Sequence, residues 1–173
     1  MDKLLYGAAY YDEYMPYDRL DEDVKMMKKA GINVVRIAES TWSTCEPQDG
    51  VFDFSWLDEA IDLFAQRGIG VVLCTPTSCP PLWLYEKYPD AVQTGKDGKK
   101  IATGIRGHRC YNNPDFLRHA KQIIDRMTKR YAKNKAVIAW QIDNELNCET
   151  DVFYSESDTL AFRQFLQEKY ETL

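Results

Sequence analysis

No run in this chain approaches the roughly 18 consecutive apolar residues of a membrane-spanning helix, so no membrane partner is expected. Basic stripes are missing too: 22 Lys and Arg stand against 27 Asp and Glu, a formal net charge of -5. Such a surface has no electrostatic footprint for nucleic acid. The one cationic cluster, Lys96, Lys99 and Lys100, brackets Asp97-Gly98 and reads as a solvated hairpin tip. The five cysteines (Cys45, Cys74, Cys79, Cys110 and Cys148) form no C-x-x-C pair and are odd in number. A disulfide framework is therefore not expected, and reduced thiols in a cytoplasmic protein are. Met1-Asp2-Lys3-Leu4-Leu5-Tyr6-Gly7 has no basic segment followed by a long apolar one, so no secretory leader is expected. His108 and His119 have no partners at metal-ligand spacing along the chain, so both are expected to be structural, with no metal or cofactor.

What is present is core material. The chain is 45% hydrophobic and 13% aromatic, which supports a globular core over residues 1–173. Its 11 Tyr and 4 Trp suit stacking on sugar faces, and suit a large core equally well.

Strand and helix alternate. Leu4 to Tyr10 predicts a first strand, followed from about Asp18 by a helix with Leu20, Val24 and Met27 on one face and Gly31 as its stop. Ile32 to Ala38 predicts the second strand, ending in Glu39. Ser55-Trp56-Leu57-Asp58 reads as a capping box, with Leu57, Ala60, Leu63 and Phe64 as the buried face and Gly68 as the end. Valine-rich Ile69 to Cys74 predicts a doubly covered third strand. An excursion from Thr75 to Asn112 follows, then an Asn113 N-cap, Pro114, and a helix striped by Leu117, Ala120, Ile124, Met127 and Tyr131. Ala136 to Ile142 is strand four, and Asp158 to Tyr170 helix four.

Four βα units imply a parallel sheet, either open and doubly wound or part of a barrel. The first turn has no Gly-rich phosphate fingerprint. Polar groups follow strands one, two and four as Glu13, Glu39 and Asn144-Glu145, a distribution that favours a barrel mouth. A complete (β/α)8 barrel takes about 250 residues, so the expected fold is α/β, the first four βα units of a TIM barrel: half a barrel.

The most informative step is Val137-Ile138-Ala139-Trp140-Gln141-Ile142-Asp143-Asn144-Glu145-Leu146, a buried-strand run that breaks into three polar residues. A Glu there can protonate a leaving oxygen, and an adjacent Asn can hydrogen-bond a sugar hydroxyl. Taken alone, such a pair is more often a strand running into an ordinary acidic turn.

The chain resembles glycoside hydrolase family 42, the β-galactosidases. The resemblance is carried by Met27 to Glu39, by Trp42 and Glu46-Pro47 with Phe54-Ser55-Trp56-Leu57-Asp58, and by Thr75-Pro76-Thr77 with Pro80-Pro81-Leu82-Trp83-Leu84 and Tyr88-Pro89. Gly104-Ile105-Arg106-Gly107-His108-Arg109-Cys110 and Trp140 to Glu145 complete it. It implies a TIM-barrel domain that hydrolyses terminal β-D-galactosides with retention. Glu145 stands at the acid/base position, and Arg106 and Asn144 at positions that contact the sugar. The family's nucleophile lies on a later strand, past Leu173, so these 173 residues alone are expected to be inactive.

Other expectations follow. Arg106 on chemistry alone is more often paired with a structural carboxylate than with a ligand; Glu39 could bind sugar but is expected rather to pair with Arg36 or Arg106, and Trp42 and Trp83 could line the cleft or the core. Some family members bind zinc through four cysteines; the matching positions here are Cys110, Tyr154, Glu156 and Thr159, so that site is expected to be lost. Another retaining glycosidase of the same barrel type, or a non-catalytic half-barrel that binds sugar or acts as a scaffold, stays open. Open sheet edges predict a homo-oligomer or a complementary barrel half as partner.

Overall fold

The computed structural model describes residues 4–16, 18–101, 108–146 and 153–171. Its strands are β1 (Gly7–Ala9), β2 (Val34–Ile37), β3 (Gly70–Cys74) and β4 (Val137–Gln141). Its helices are α1 (Leu20–Lys29), α2 (Trp42–Cys45), α3 (Ser55–Gln66), α4 (Leu82–Lys87), α5 (Pro114–Tyr131) and α6 (Glu156–Tyr170). The four strands are parallel and lie in the order β1-β2-β3-β4. An order without reversal, joined by right-handed crossovers, puts the connecting helices on one face. The described strands thus have the half-barrel order, without the switch point of a doubly wound sheet.

Strand alternation sorts the residues between two faces. Val35 and Ile37 of β2 and Val71 and Leu73 of β3 are buried, in one core with Val24 of α1, Leu57, Ile61 and Phe64 of α3, and Ile123 and Met127 of α5. The other face carries Val34, Arg36, Gly70 and Val72, in the register Val34↔Gly70 and Arg36↔Val72. Ile138 is the extra residue where the β3–β4 register shifts. Its side chain lies across Gly70, where a Cβ would come within 2.9 Å of it.

Gly7 is more tightly constrained. A Cβ there would fall 1.7 Å from the Val34 carbonyl oxygen, a backbone atom that cannot swing aside. Gly7→Ala is expected to push β1 off β2 and cost about 1–3 kcal/mol. Urea unfolding would show this as a lower midpoint at unchanged slope; a wild-type midpoint would mean that β1 does not contribute to the cooperative unit.

The helices follow the expected pattern with three corrections. The Ser55-to-Asp58 capping box does not form: Ser55 is already helical, its N–H is accepted by Asp53 Oδ1 at 2.9 Å, and Asp58 instead binds Arg130 and Tyr131 of α5. A long-range ion pair outcompetes the local cap. In α5 Asn113 caps as expected, accepting from the Asp115 and Phe116 N–H groups. Its buried stripe, however, is rotated to Phe116, His119, Ala120, Ile123, Met127 and Tyr131, leaving Leu117 exposed. Phe116 gains ring contacts with Trp42 and Tyr111 that Leu117 could not make. Finally, α6 starts two residues before Asp158, because Ser155 and Asp158 make the reciprocal capping box.

The Lys96-to-Lys99 hairpin is present: Thr94 bridges Lys100, and Gly98 takes the left-handed conformation at φ 75°. Apolar side chains remain exposed at Ile138 of β4, at Ile142 just after it, and at Leu160, Phe162 and Phe165 of α6. Among the described residues, no helix is long and apolar enough to cross a membrane.

Candidate active site

The polar groups at the carboxyl ends of the strands form one network. Arg36 leaves β2 on the open face, and its Nη1 donates to Gln141 Oε1 at 3.1 Å and Asn144 Oδ1 at 3.3 Å. Its Nη2 meets Tyr11 Oη and pairs with Glu39 Oε2 at 2.7 Å. Tyr11 also donates to the same carboxylate oxygen at 2.7 Å. Glu39 is thus the ion-pair partner of Arg36, one of the two arginines expected. Cys74 lies 3.7 Å from Arg36 Nη1, and burial pushes its thiol up to about 11.

Asp143, Asn144 and Glu145 sit directly after β4, held by a bent backbone. Asp143 has φ 56° and Glu145 φ 43°, the left-handed region that costs a non-glycine residue about 1–3 kcal/mol. The surroundings fix that bend. Asp143 N–H donates to Thr75 Oγ1 at 2.8 Å, Asp143 Oδ1 accepts from Arg109 Nη2 at 3.0 Å, and Gln141 Nε2 donates to the Asp143 carbonyl at 2.9 Å. Asn144 Oδ1 also accepts from Gln141 Nε2 at 2.9 Å. With Oδ1 engaged, the Asn144 NH2 is the end suited to donate to a ligand. Glu145 is exposed, so no described element encloses it. Arg106 lies outside the described residues.

The β2 end uses the same device. Ala38, at φ 74°, precedes Glu39 as Asp143 precedes Asn144. Glu13, after β1, accepts from Ser40 N–H at 3.2 Å, and burial raises its carboxyl above the ordinary range. A cleft of about 560 Å³ opens between the loops after the first three strands, lined by Tyr14, Ser40, Cys79, Trp83 and His108. Its lining adjoins Glu39 and Arg109 in sequence but does not include Asn144 or Glu145. Trp83 lines it; Trp42 is fully buried in the core, with its Nε1 donating to Glu46.

Cys110 faces Ser155 Oγ at 3.2 Å and Asp158 Oδ1 at 3.5 Å, and its thiol is raised by burial. Tyr154 points to solvent and Glu156 begins α6. Folding brings His119 to Glu46 and Asp49, a grouping invisible in sequence spacing.

Arg109, Gln141, Thr75 and Tyr11 were not singled out from sequence. Gln141 had a readable signal, as the one polar residue within the apolar run Val137 to Ile142, at the parity that faces Arg36. Arg109 had none beyond its place beside Arg106 in the same motif.

A parallel βα arc with polar and carboxylate side chains at its strand carboxyl ends is the arrangement of TIM-barrel enzymes. Residues 9–173 match the glycoside hydrolase family 42 profile, described as beta-galactosidase, and the chain belongs to that family. It is 48% identical over 167 residues to Beta-galactosidase BgaA of Clostridium cellulovorans, a match that covers 96% of this chain and 25% of that protein. Solved structures of a beta-galactosidase from the psychrophilic Marinomonas ef1 and of one from the haloarchaeon Halorubrum lacusprofundi superpose with a TM-score of 0.91 each, at 37% and 40% identity. Those matches cover 98% and 97% of this chain, and 26% and 25% of theirs. The chain thus spans about a quarter of the length of the relatives it matches.

Proposed function

We propose that these residues form the amino-terminal part of the catalytic barrel of a retaining β-galactosidase acting on terminal β-D-galactosides. Glu145 protonates the departing glycosidic oxygen and then, as carboxylate, deprotonates the water that releases the sugar. Asn144, and Arg106 from the preceding loop, orient the galactose ring. Retention needs a second carboxyl about 5–5.5 Å from the first, supplied by a later strand of the longer barrel.

The observation that carries this reading is the Asp143-Asn144-Glu145 bend at the end of β4. Of its two left-handed residues, Asp143 is held by Thr75, Arg109 and Gln141, and Asn144 between them is oriented by Arg36 and Gln141. Strain maintained by four separate elements at one point suits a site that must present a carboxyl in a set direction.

The exposed apolar side chains of β4 and α6 support a packing partner, a complementary barrel half or a second copy. Neither a nucleic acid nor a membrane is proposed as partner. The free thiols Cys45, Cys74, Cys79 and Cys110 support a cytoplasmic location.

Nitrophenyl sugars test the assignment in the protein expressed from its own gene. The β-galactoside is expected to turn over fastest. Faster cleavage of the β-glucoside or an arabinoside would move the chain to another retaining specificity, and sugar binding without cleavage would make it a non-catalytic binder.

A further inference from the structure

Behind the cleft wall lies a group of side chains that the glycosidase chemistry does not use. Glu46 follows α2, Asp49 lies in the turn after it, and His119 projects from the first half of α5. One donor atom from each lies within 4.8 Å of the others, and His119 Nδ1 is 3.7 Å from Asp49 Oδ1. Glu46 and His119 are 0% and 1% exposed. Among the described residues, both imidazole nitrogens are buried without a hydrogen-bond partner. An unsatisfied buried polar group costs about 1–3 kcal/mol, so an imidazole aimed at two carboxylates calls for something between them.

We propose that Glu46, Asp49 and His119 form a site for one divalent first-row cation of the manganese-to-zinc type. The donor set suits that class: imidazole favours the transition metals, and carboxylates bring in manganese and zinc. Each carboxylate has an oxygen with capacity for a metal. Glu46 accepts one hydrogen bond per oxygen, from Trp42 Nε1 at 2.8 Å and from Gly50 N–H at 3.0 Å. An ionised carboxylate oxygen can accept about two. Lys87 holds Oδ2 of Asp49, leaving Oδ1 turned to His119. Burial keeps His119 below the ordinary imidazole range, so its lone pair is available near neutral pH.

The rings of Trp83 and Tyr88, with centroids 5.2 and 5.3 Å away, fix the imidazole. Ligands bound at about 2.0–2.2 Å must lie closer together than these atoms do. Asp49, half-exposed in its turn, is the side chain free to close that gap. A bound cation would join the segment after α2 to α5. It would stiffen the cleft from behind, because Trp83 lines the cleft, packs on His119 and donates to the Glu46 carbonyl at 2.9 Å.

The test uses protein expressed from its own gene, stripped with chelator and titrated with Mn²⁺, which does not compete for the thiols. Free Mn²⁺ is read by electron paramagnetic resonance, and the thermal midpoint is followed alongside. One equivalent is expected to bind and to raise the midpoint. His119→Gln should abolish both effects, and Asp49→Ala should weaken binding roughly tenfold or more. If His119→Gln does not fold, Asp49→Ala decides alone, since Asp49 lies in an exposed turn outside the core. No binding to wild type, or equal binding by Asp49→Ala, overturns the site.

Discussion

In the protein expressed from its own gene, Glu145→Gln is expected to lower turnover of an alkyl or sugar β-galactoside by roughly 10²–10⁴-fold while leaving sugar affinity near wild type. The substitution keeps the side chain's shape and removes the proton that the departing oxygen needs. Selectivity between substrates is the sharper signature. A nitrophenolate leaves without full protonation, so the first step on nitrophenyl galactoside should suffer far less than on lactose-like substrates. The second step, in which Glu145 is proposed to act as base, should then become limiting. Pre-steady-state release of nitrophenol followed by a slow phase would show this directly. Unchanged turnover on both substrate types would remove Glu145 from the chemistry.

Arg109→Leu is expected to destabilise the fold by about 3–5 kcal/mol, the cost of leaving a buried charge without its partner. Arg109 is 1% exposed and donates to Asp143 Oδ1 at 3.0 Å and to the Ser78 carbonyl at 3.2 Å. Its guanidinium also lies over the Tyr111 ring, 4.6 Å from the centroid. Leucine fills much of the volume but leaves the Asp143 carboxylate facing a dry pocket. Asp143→Asn should cost less, about 1–3 kcal/mol. Its amide oxygen can still accept from Arg109, and Asn tolerates the left-handed backbone at residue 143. Urea midpoints separate the two variants. An Arg109→Leu protein within 1 kcal/mol of wild type, on the scale of ordinary surface substitutions, would mean the bend after β4 holds without this pair.

The pairing of sequence with structure is uneven for a physical reason. Local chemistry was legible. Apolar runs bounded by Gly31 and Gly68 marked the strands and helices, Asn113-Pro114 marked the start of α5, and Asp97-Gly98 marked the hairpin. Each depends on neighbours a few residues apart, whose preferences act before the chain is packed. Parallel order followed from the same alternation, since right-handed crossovers leave few ways to lay four βα units side by side. Asn144 and Glu145 stood out because a strand cannot end in three polar residues without presenting them at its carboxyl edge.

Long-range partners could not be read this way. The Asp58 carboxylate belongs to Arg130, 72 residues away, rather than to a helix cap. Arg36 meets Asn144 across 108 residues, and Arg109 meets Asp143 across 34. These pairs form because parallel strands bring their carboxyl ends to one rim, and the strand parity of Arg36 and Gln141 decides which charges meet there. His119 shows the same limit: along the chain it has no ligand-spaced neighbour, and only the packing of α5 against the segment after α2 delivers Glu46 and Asp49 to it. Element identity and the two candidate residues after β4 were thus properties of local sequence. The network that bends the chain there and orients Asn144 arises from packing, because burial and charge pairing depend on distances that only the folded chain sets.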